Sequence, residues 1–293
     1  FPYTTLFRSS KTPLYFLVFS SVLNIFLDIL FILPLGMGVA GAAWATILSQ
    51  FLSAVLSLLV GMRRFAVLHL RKADFANLGN AMVVHLKTGF PMGFQMSVMC
   101  IGQLAMQMVV NSLGTAAVAG YTAASKADQL SVLVNNAMMT AISNYVAQNF
   151  GAGKRERICQ GVRASLIQTE TFNVLMCAGI ILLRHPIVEL FMSNPTKEIY
   201  HYSDAYLTIV APFYVILGLL AVYRTTIQSM QNGWAPFAAC MIELVMRISA
   251  TVGLVGMLGY TSVCIASPMA WFGACALLIP CYYRMMKAWK KDK

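Results

Sequence analysis

Charge is scarce in this chain. Asp, Glu, Lys and Arg make up 11% of its 293 residues, against about a quarter in an average soluble domain. There are 10 acidic residues and four histidines, and the histidines (69, 85, 185 and 201) fall in loops or at the ends of apolar runs. The apolar runs hold no Ser/His/Asp set, no HExxH and no phosphate-cradling glycine loop, which argues against an enzyme built on those motifs. Seven cysteines show no CxxC and no Cys/His spacing; they read as small core hydrophobes rather than a metal site or disulfide set. No charged leader followed by a short apolar segment and a cleavage site is present, so no signal peptide is read.

Apolar sequence dominates instead. The chain is 59% hydrophobic with a mean hydropathy of +0.70, and runs of about 20 apolar residues, each long enough to cross a bilayer, recur throughout. The pattern predicts an all-α polytopic membrane protein with spans at 14–33, 39–61, 90–112, 116–148, 160–183, 201–229, 235–257 and 262–284. The net charge of +11 sits mainly in the loops at 62–88 and 149–159 and in the tail. That is the distribution of cytoplasmic loops, not of a nucleic-acid surface, and it places both ends of the chain on the cytoplasmic side of the membrane.

The first hairpin carries the sharpest chemistry. Asn24 and Asp28 lie four residues apart on one helical face, and Thr46 on the returning helix can meet them at similar depth. An intramembrane carboxylate is costly and points to function. Carboxylate, amide and hydroxyl together are hard oxygen donors suited to Na⁺ or to a titrating proton. The bland alternative is hydrogen bonding across the helix interface. Other polar residues in the spans carry weaker signals. Glu243 and Arg247, four apart, predict an ion pair with a structural or gating role. Lys126 and Asp128 suggest a pair that closes a cavity floor or positions a helix. Gln95, Gln103 and Gln107 read as interhelical bonds or cavity lining, and Glu170 as a cavity carboxylate or a residue near a helix end.

The chain also repeats itself. SKTPLYFLVFSSVLNIFLD (10–28) parallels GWAPFAACMIELVMRISAT (233–251), with Pro13 matching Pro236 at an offset of 223. Asn24 then corresponds to Arg247 and Asp28 to Thr251, while Ala45-Thr46 matches Ala266-Ser267 at an offset of 221. Parallel repeats about an axis along the membrane normal are a transporter architecture. With six helices per copy, the first copy here lacks four, which predicts a fragment of a protein of about 430 residues. Residues 1–9, FPYTTLFRS, read as translated adaptor sequence, a non-native leader.

These stretches, together with GVAGAAWATILSQ, TGFPMGFQMS, SLGTAAVAGYTAASKADQL, YVAQNFGAGKRERI and YRTTIQSMQNGWAPFAACMIELVMR, resemble the multidrug and toxic compound extrusion (MATE) transporters from fifth helix to twelfth. The resemblance implies two six-helix lobes around a cavity. Residues 10–61 would be the last two helices of the N-lobe, 62–88 a cytoplasmic linker, 89–284 the C-lobe and 285–293 a basic tail. It implies a monomer in the lipid bilayer that exports small amphipathic organic cations against Na⁺ or H⁺, with no other cofactor. Asn24, Asp28 and Thr46 fall on three positions of the N-lobe cation site that one branch of the family uses. The acidic positions of another branch, on the seventh and tenth helices, look like Met99 and Tyr214, which leaves coupling to the N-lobe. The alternatives are a related lipid-linked oligosaccharide flippase or an inactive truncated remnant.

Overall fold

Hydrocarbon offers a backbone amide no water to bond, so each apolar run must satisfy its own N–H and C=O groups, and a helix does so within one segment. The computed structural model describes residues 11–64, 78–192 and 194–291, and every regular element among them is helical. In order these are α1 (Lys11–Ile32), α2 (Gly38–Arg64), α3 (Leu78–Ser112), α4 (Thr115–Gly151), α5 (Arg155–Leu182), α6 (Arg184–Phe191), α7 (Lys197–Val210), a 3₁₀ turn (Ala211–Phe213), α8 (Tyr214–Ser229), α9 (Trp234–Leu258) and α10 (Thr261–Lys291). The chain divides into two units at Ala81 and Met82.

The first unit is built on the α1–α2 hairpin. Gly36 and Gly38 adopt φ of +61° and +56°, a left-handed backbone that glycine enters without steric cost. The helices close tightly beyond this turn, where a β-carbon on Gly41 would stand 3.0 Å from that of Phe31. Nearer the other end, Ser53 Oγ donates to the Phe16 carbonyl at 3.0 Å. Large apolar side chains on α1, among them Leu17, Val22 and Phe26, are exposed, as expected of a surface that hydrocarbon wets.

The second unit packs α4, α5, α7, α8 and the α9–α10 hairpin about one core that includes Val146, Leu207, Ile227 and Leu278. Small residues let the backbones approach. Ala117, Gly120, Ala124 and Ala127 form a buried stripe along α4, the small-residue spacing that membrane helices use at close interfaces. A β-carbon on Gly120 would lie 2.9 Å from the Ile199 carbonyl oxygen and 2.7 Å from Tyr202 Cβ. Pro212 sits in the 3₁₀ turn that divides the predicted 201–229 span into α7 and α8.

All eight predicted spans fall on helices. Seven membrane-length apolar segments stand out among the described residues; α4, which carries Lys126, Asp128, Asn135 and Asn136, is not one of them. Boundaries differ from expectation. α2 runs on to Arg64, α3 begins at Leu78 inside the expected linker, and α10 continues through the basic tail to Lys291. Leu, Met, Lys and Arg in these stretches are good helix formers, with no proline at these junctions to stop them. Residues 184–200, which lie between two predicted spans, contain α6 and the start of α7, with Arg184 and His185 both facing Asp204 at 3.6 and 2.9 Å. Arg71 and Lys72 of the expected linker and the 1–9 leader lie outside the described residues.

Gly120→Ala should destabilise the protein by about 1–3 kcal/mol through overpacking against an unyielding carbonyl. Gly179→Ala, where a β-carbon meets nothing within 4 Å, should be neutral or stabilising by up to about 1 kcal/mol. Thermal unfolding of the detergent-purified variants checks the pair, and equal effects would mean that α4 and α7 do not meet at this glycine.

Candidate functional site

The hairpin brings Asn24 and Thr46 together. Asn24 Nδ2 donates to Thr46 Oγ1 at 3.4 Å, and the Thr46 hydroxyl donates in turn to the Ala42 carbonyl at 2.9 Å. Bonding through its nitrogen leaves the Asn24 amide oxygen available. Asp28 lies one turn further along α1, and its Oδ1 is buried with no hydrogen-bond partner. A carboxylate oxygen removed from water without a partner costs several kcal/mol, so this position favours a ligand that restores the lost interactions. The three donors are all oxygen, a chemistry that suits Na⁺ or a proton and not a soft metal.

The second unit encloses a cavity of about 470 Å³. Charge on its wall comes in both signs: Asp128 on α4, Arg224 on α8, and Glu243 and Arg247 on α9. Tyr121, Tyr206 and Trp271 supply aromatic surface, and Gln103 and Gln107 line it from α3. Glu243 pairs with Arg224 across the α8–α9 interface. This corrects the expected Glu243–Arg247 pair. The Arg247 stem instead lies over Gly102, whose missing side chain makes room for it, and its Nη1 contacts Met106 Sδ at 3.6 Å. Asp128 feels the field of Arg247 and lies beside the Tyr214 hydroxyl, but Asp128 Oδ1 has no hydrogen bond of standard geometry.

Other expectations fare unevenly. Lys126 does not pair with Asp128. Two residues apart, they point to different sides of α4, and Lys126 opens beside Phe191 and Met192 instead. Gln95 is buried and structural: its Oε1 accepts from Gln228 at 2.8 Å and its carbonyl from the Cys240 thiol at 3.4 Å. Met99 lines the cavity and Tyr214 is fully buried. Glu170 is not near a helix end but close to the middle of α5, with both carboxylate oxygens buried and unbonded. Among the described residues no group of three or more His, Cys, Asp or Glu side chains could hold a metal ion.

A model of the MatE family matches residues 91–252. Over 298 residues the chain is 30% identical to the probable multidrug resistance protein YpnP of Bacillus subtilis (strain 168), which covers 97% of this chain and 63% of that protein. The chain belongs to the MATE family. It is 27% identical over 239 residues to the probable multidrug resistance protein NorM of Thermotoga maritima, covering 80% of this chain and 51% of that one. A crystal structure of MATE in the bent conformation superposes with a TM-score of 0.85 at 22% identity, covering 95% of this chain and 62% of the other. VcmN of Vibrio cholerae in its bent form gives 0.85 at 18% identity, covering 96% and 64%. The MATE fold is therefore shared, and this MATE chain spans less than two thirds of the length of these relatives.

Within this MATE chain the internal repeat connects the two sites. Arg247 and Ser267, the counterparts of Asn24 and Thr46, both line the cavity of the second unit. The same two repeat positions thus carry polar groups on facing helices in both copies. Sequence reasoning missed two features here. Arg224 carries no signal in the sequence beyond being a base inside the predicted 201–229 span. The Asn135–Asn173 pair, joined at 3.1 Å between α4 and α5, is signalled only by amides inside two long predicted spans.

Glu243→Gln should leave Arg224 buried without its counter-charge and cost about 3–5 kcal/mol, whereas the double replacement Arg224→Met with Glu243→Leu should recover most of that loss. Detergent thermal stability of the single and double variants reads this directly. A double variant no better than the single would contradict the pairing.

Proposed function

We propose that this chain is part of a multidrug exporter that drives amphipathic, cationic drugs or toxic metabolites outward by antiport with Na⁺ or H⁺. The observation that carries the reading is the buried, partnerless oxygen of Asp28 beside the Asn24–Thr46 contact. In this reading the ionised Asp28 attracts the coupling ion, with the Asn24 amide oxygen and the Thr46 hydroxyl as further donors. Occupation cancels the carboxylate's charge. A neutral carboxyl or ion-paired site is cheaper to enclose in hydrocarbon, so binding lets the helices repack and release drug on the other side of the membrane. The names of the relatives, multidrug resistance proteins in Bacillus subtilis and Thermotoga maritima, support the substrate class. The basic residues Lys154, Arg155, Arg157 and Arg284 support a cytoplasmic location for that end of the helices.

The test is ethidium accumulation in pump-deficient cells that express this chain within its complete reading frame. Wild type should lower accumulation, and Asp28→Asn should bind drug yet pump at least about tenfold more slowly, a barrier of roughly 1.4 kcal/mol or more. Loss of pumping on removal of external Na⁺ would identify the ion as sodium, and persistence would identify the proton. Equal pumping by the two proteins would exclude Asp28 as the coupling residue. Absence of pumping despite normal expression would favour the flippase reading over drug export.

A further inference from the structure

Glu170 occupies a place that neither the hairpin site nor the cavity explains. It sits near the middle of α5, and both its carboxylate oxygens are buried without a hydrogen-bond partner. Beside it Thr169 is buried, its hydroxyl likewise unpartnered. Across the interface α8 presents Gly218, and the missing side chain there forms the slot: a β-carbon at 218 would stand 2.7 Å from Glu170 Oε1 and 3.1 Å from Thr169 Cγ2. The same virtual atom would collide with the Asn173 amide nitrogen. Asn173 in turn exchanges hydrogen bonds with Asn135, at 3.1 and 3.5 Å, and Asn135 lines the cavity.

Among the described residues no ion pair reaches this carboxylate. Of the titratable groups on α4, α7, α8 and α10, the Cys275 thiol lies close enough to feel its charge. Lys126 opens beside Phe191, Asp128 and Arg224 face the cavity, and Asp204 pairs with Arg184 and His185. An ionised carboxylate without partner or counter-ion is costly in such surroundings. A metal cation needs more donors than the slot provides, because the two amides are engaged with each other and one hydroxyl remains. A proton needs none of them.

We propose that Glu170 is a proton-binding site of the second unit, separate from the Asp28 site, and communicates with the cavity through the Asn173–Asn135 amide pair. When the proton leaves, the carboxylate becomes a strong acceptor within reach of the Asn173 amide. Asn173 then turns its nitrogen from Asn135 towards Glu170, and the cavity wall at Asn135 changes its donors. Protonation thereby alters the surface a ligand meets. The assignment extends the antiport reading, but its binding step does not depend on drug export.

Infrared difference spectroscopy on the purified complete protein, titrated from acid to alkaline pH, tests the site. A protonated-carboxyl C=O band, shifted by deuterium exchange, should be present at neutral pH and lost in Glu170→Gln. It should persist in Asp28→Asn and ignore added Na⁺. Gly218→Ala, which retains the carboxyl but crowds it, should shift the band without abolishing it, so a poorly folding Glu170→Gln does not decide the matter. Absence of the band in a well-folded wild type, survival in Glu170→Gln, or its removal by Na⁺ would overturn the proposal. Failure of ethidium export with the band intact would instead count against the transport reading alone.

Discussion

Two opposite charges inside an apolar bundle hold the second unit to its arrangement. Arg224 on α8 and Glu243 on α9 can be buried because each cancels the other, and neither could stay without its partner. The contact ties the α9–α10 hairpin to the bundle of α4, α5, α7 and α8. It also decides what remains free in the cavity. With Glu243 satisfied by Arg224, Arg247 is left to extend over Gly102 towards Met106, and Asp128 keeps an oxygen open on the opposite wall. The chemistry of the pocket is thus what this single pairing leaves over.

The hairpin repeat shows how one backbone arrangement hosts different chemistry. Both copies turn on glycine with positive φ, Gly36 and Gly38 in the first and Gly259 at +52° in the second, and both place polar side chains at matching positions on facing helices. In the first copy these are an amide, a hydroxyl and a carboxylate; in the second, a guanidinium and two hydroxyls. A fixed cation at 247 makes the second hairpin a poor host for a metal ion. Three carboxylates of that unit serve other ends: Glu243 holds an arginine, Asp128 faces the cavity, and Glu170 is buried in the slot beside Gly218.

Much of this was legible in the residues. Long apolar runs specify helices because hydrocarbon allows little else, and Asn24, Asp28 and Thr46 stood out because polar groups in such runs need a reason. What failed was inference from local spacing. Lys126 and Asp128 are close in sequence, yet helical geometry turns them apart. Glu243 and Arg247 are a turn apart on one helix, yet Glu243 is claimed by an arginine on another. Partners that meet across helices, Arg224 with Glu243 and Asn135 with Asn173, are set by tertiary packing, which no short window records. The helix ends moved for a related reason: basic residues mark the membrane boundary but do not stop a helix.

The cavity's charge balance has an electrical consequence. Asp128 and Glu243 offset Arg224 and Arg247, so with both carboxylates ionised the wall carries no net charge. A transmembrane voltage does work of about 2.3 kcal/mol on each elementary charge carried through 100 mV. It therefore does almost none on this wall when the wall moves as a body. Voltage can then act at this wall only through what enters or leaves it, a charged ligand or a proton. The wall itself is electrically silent, and a charge that enters it is not.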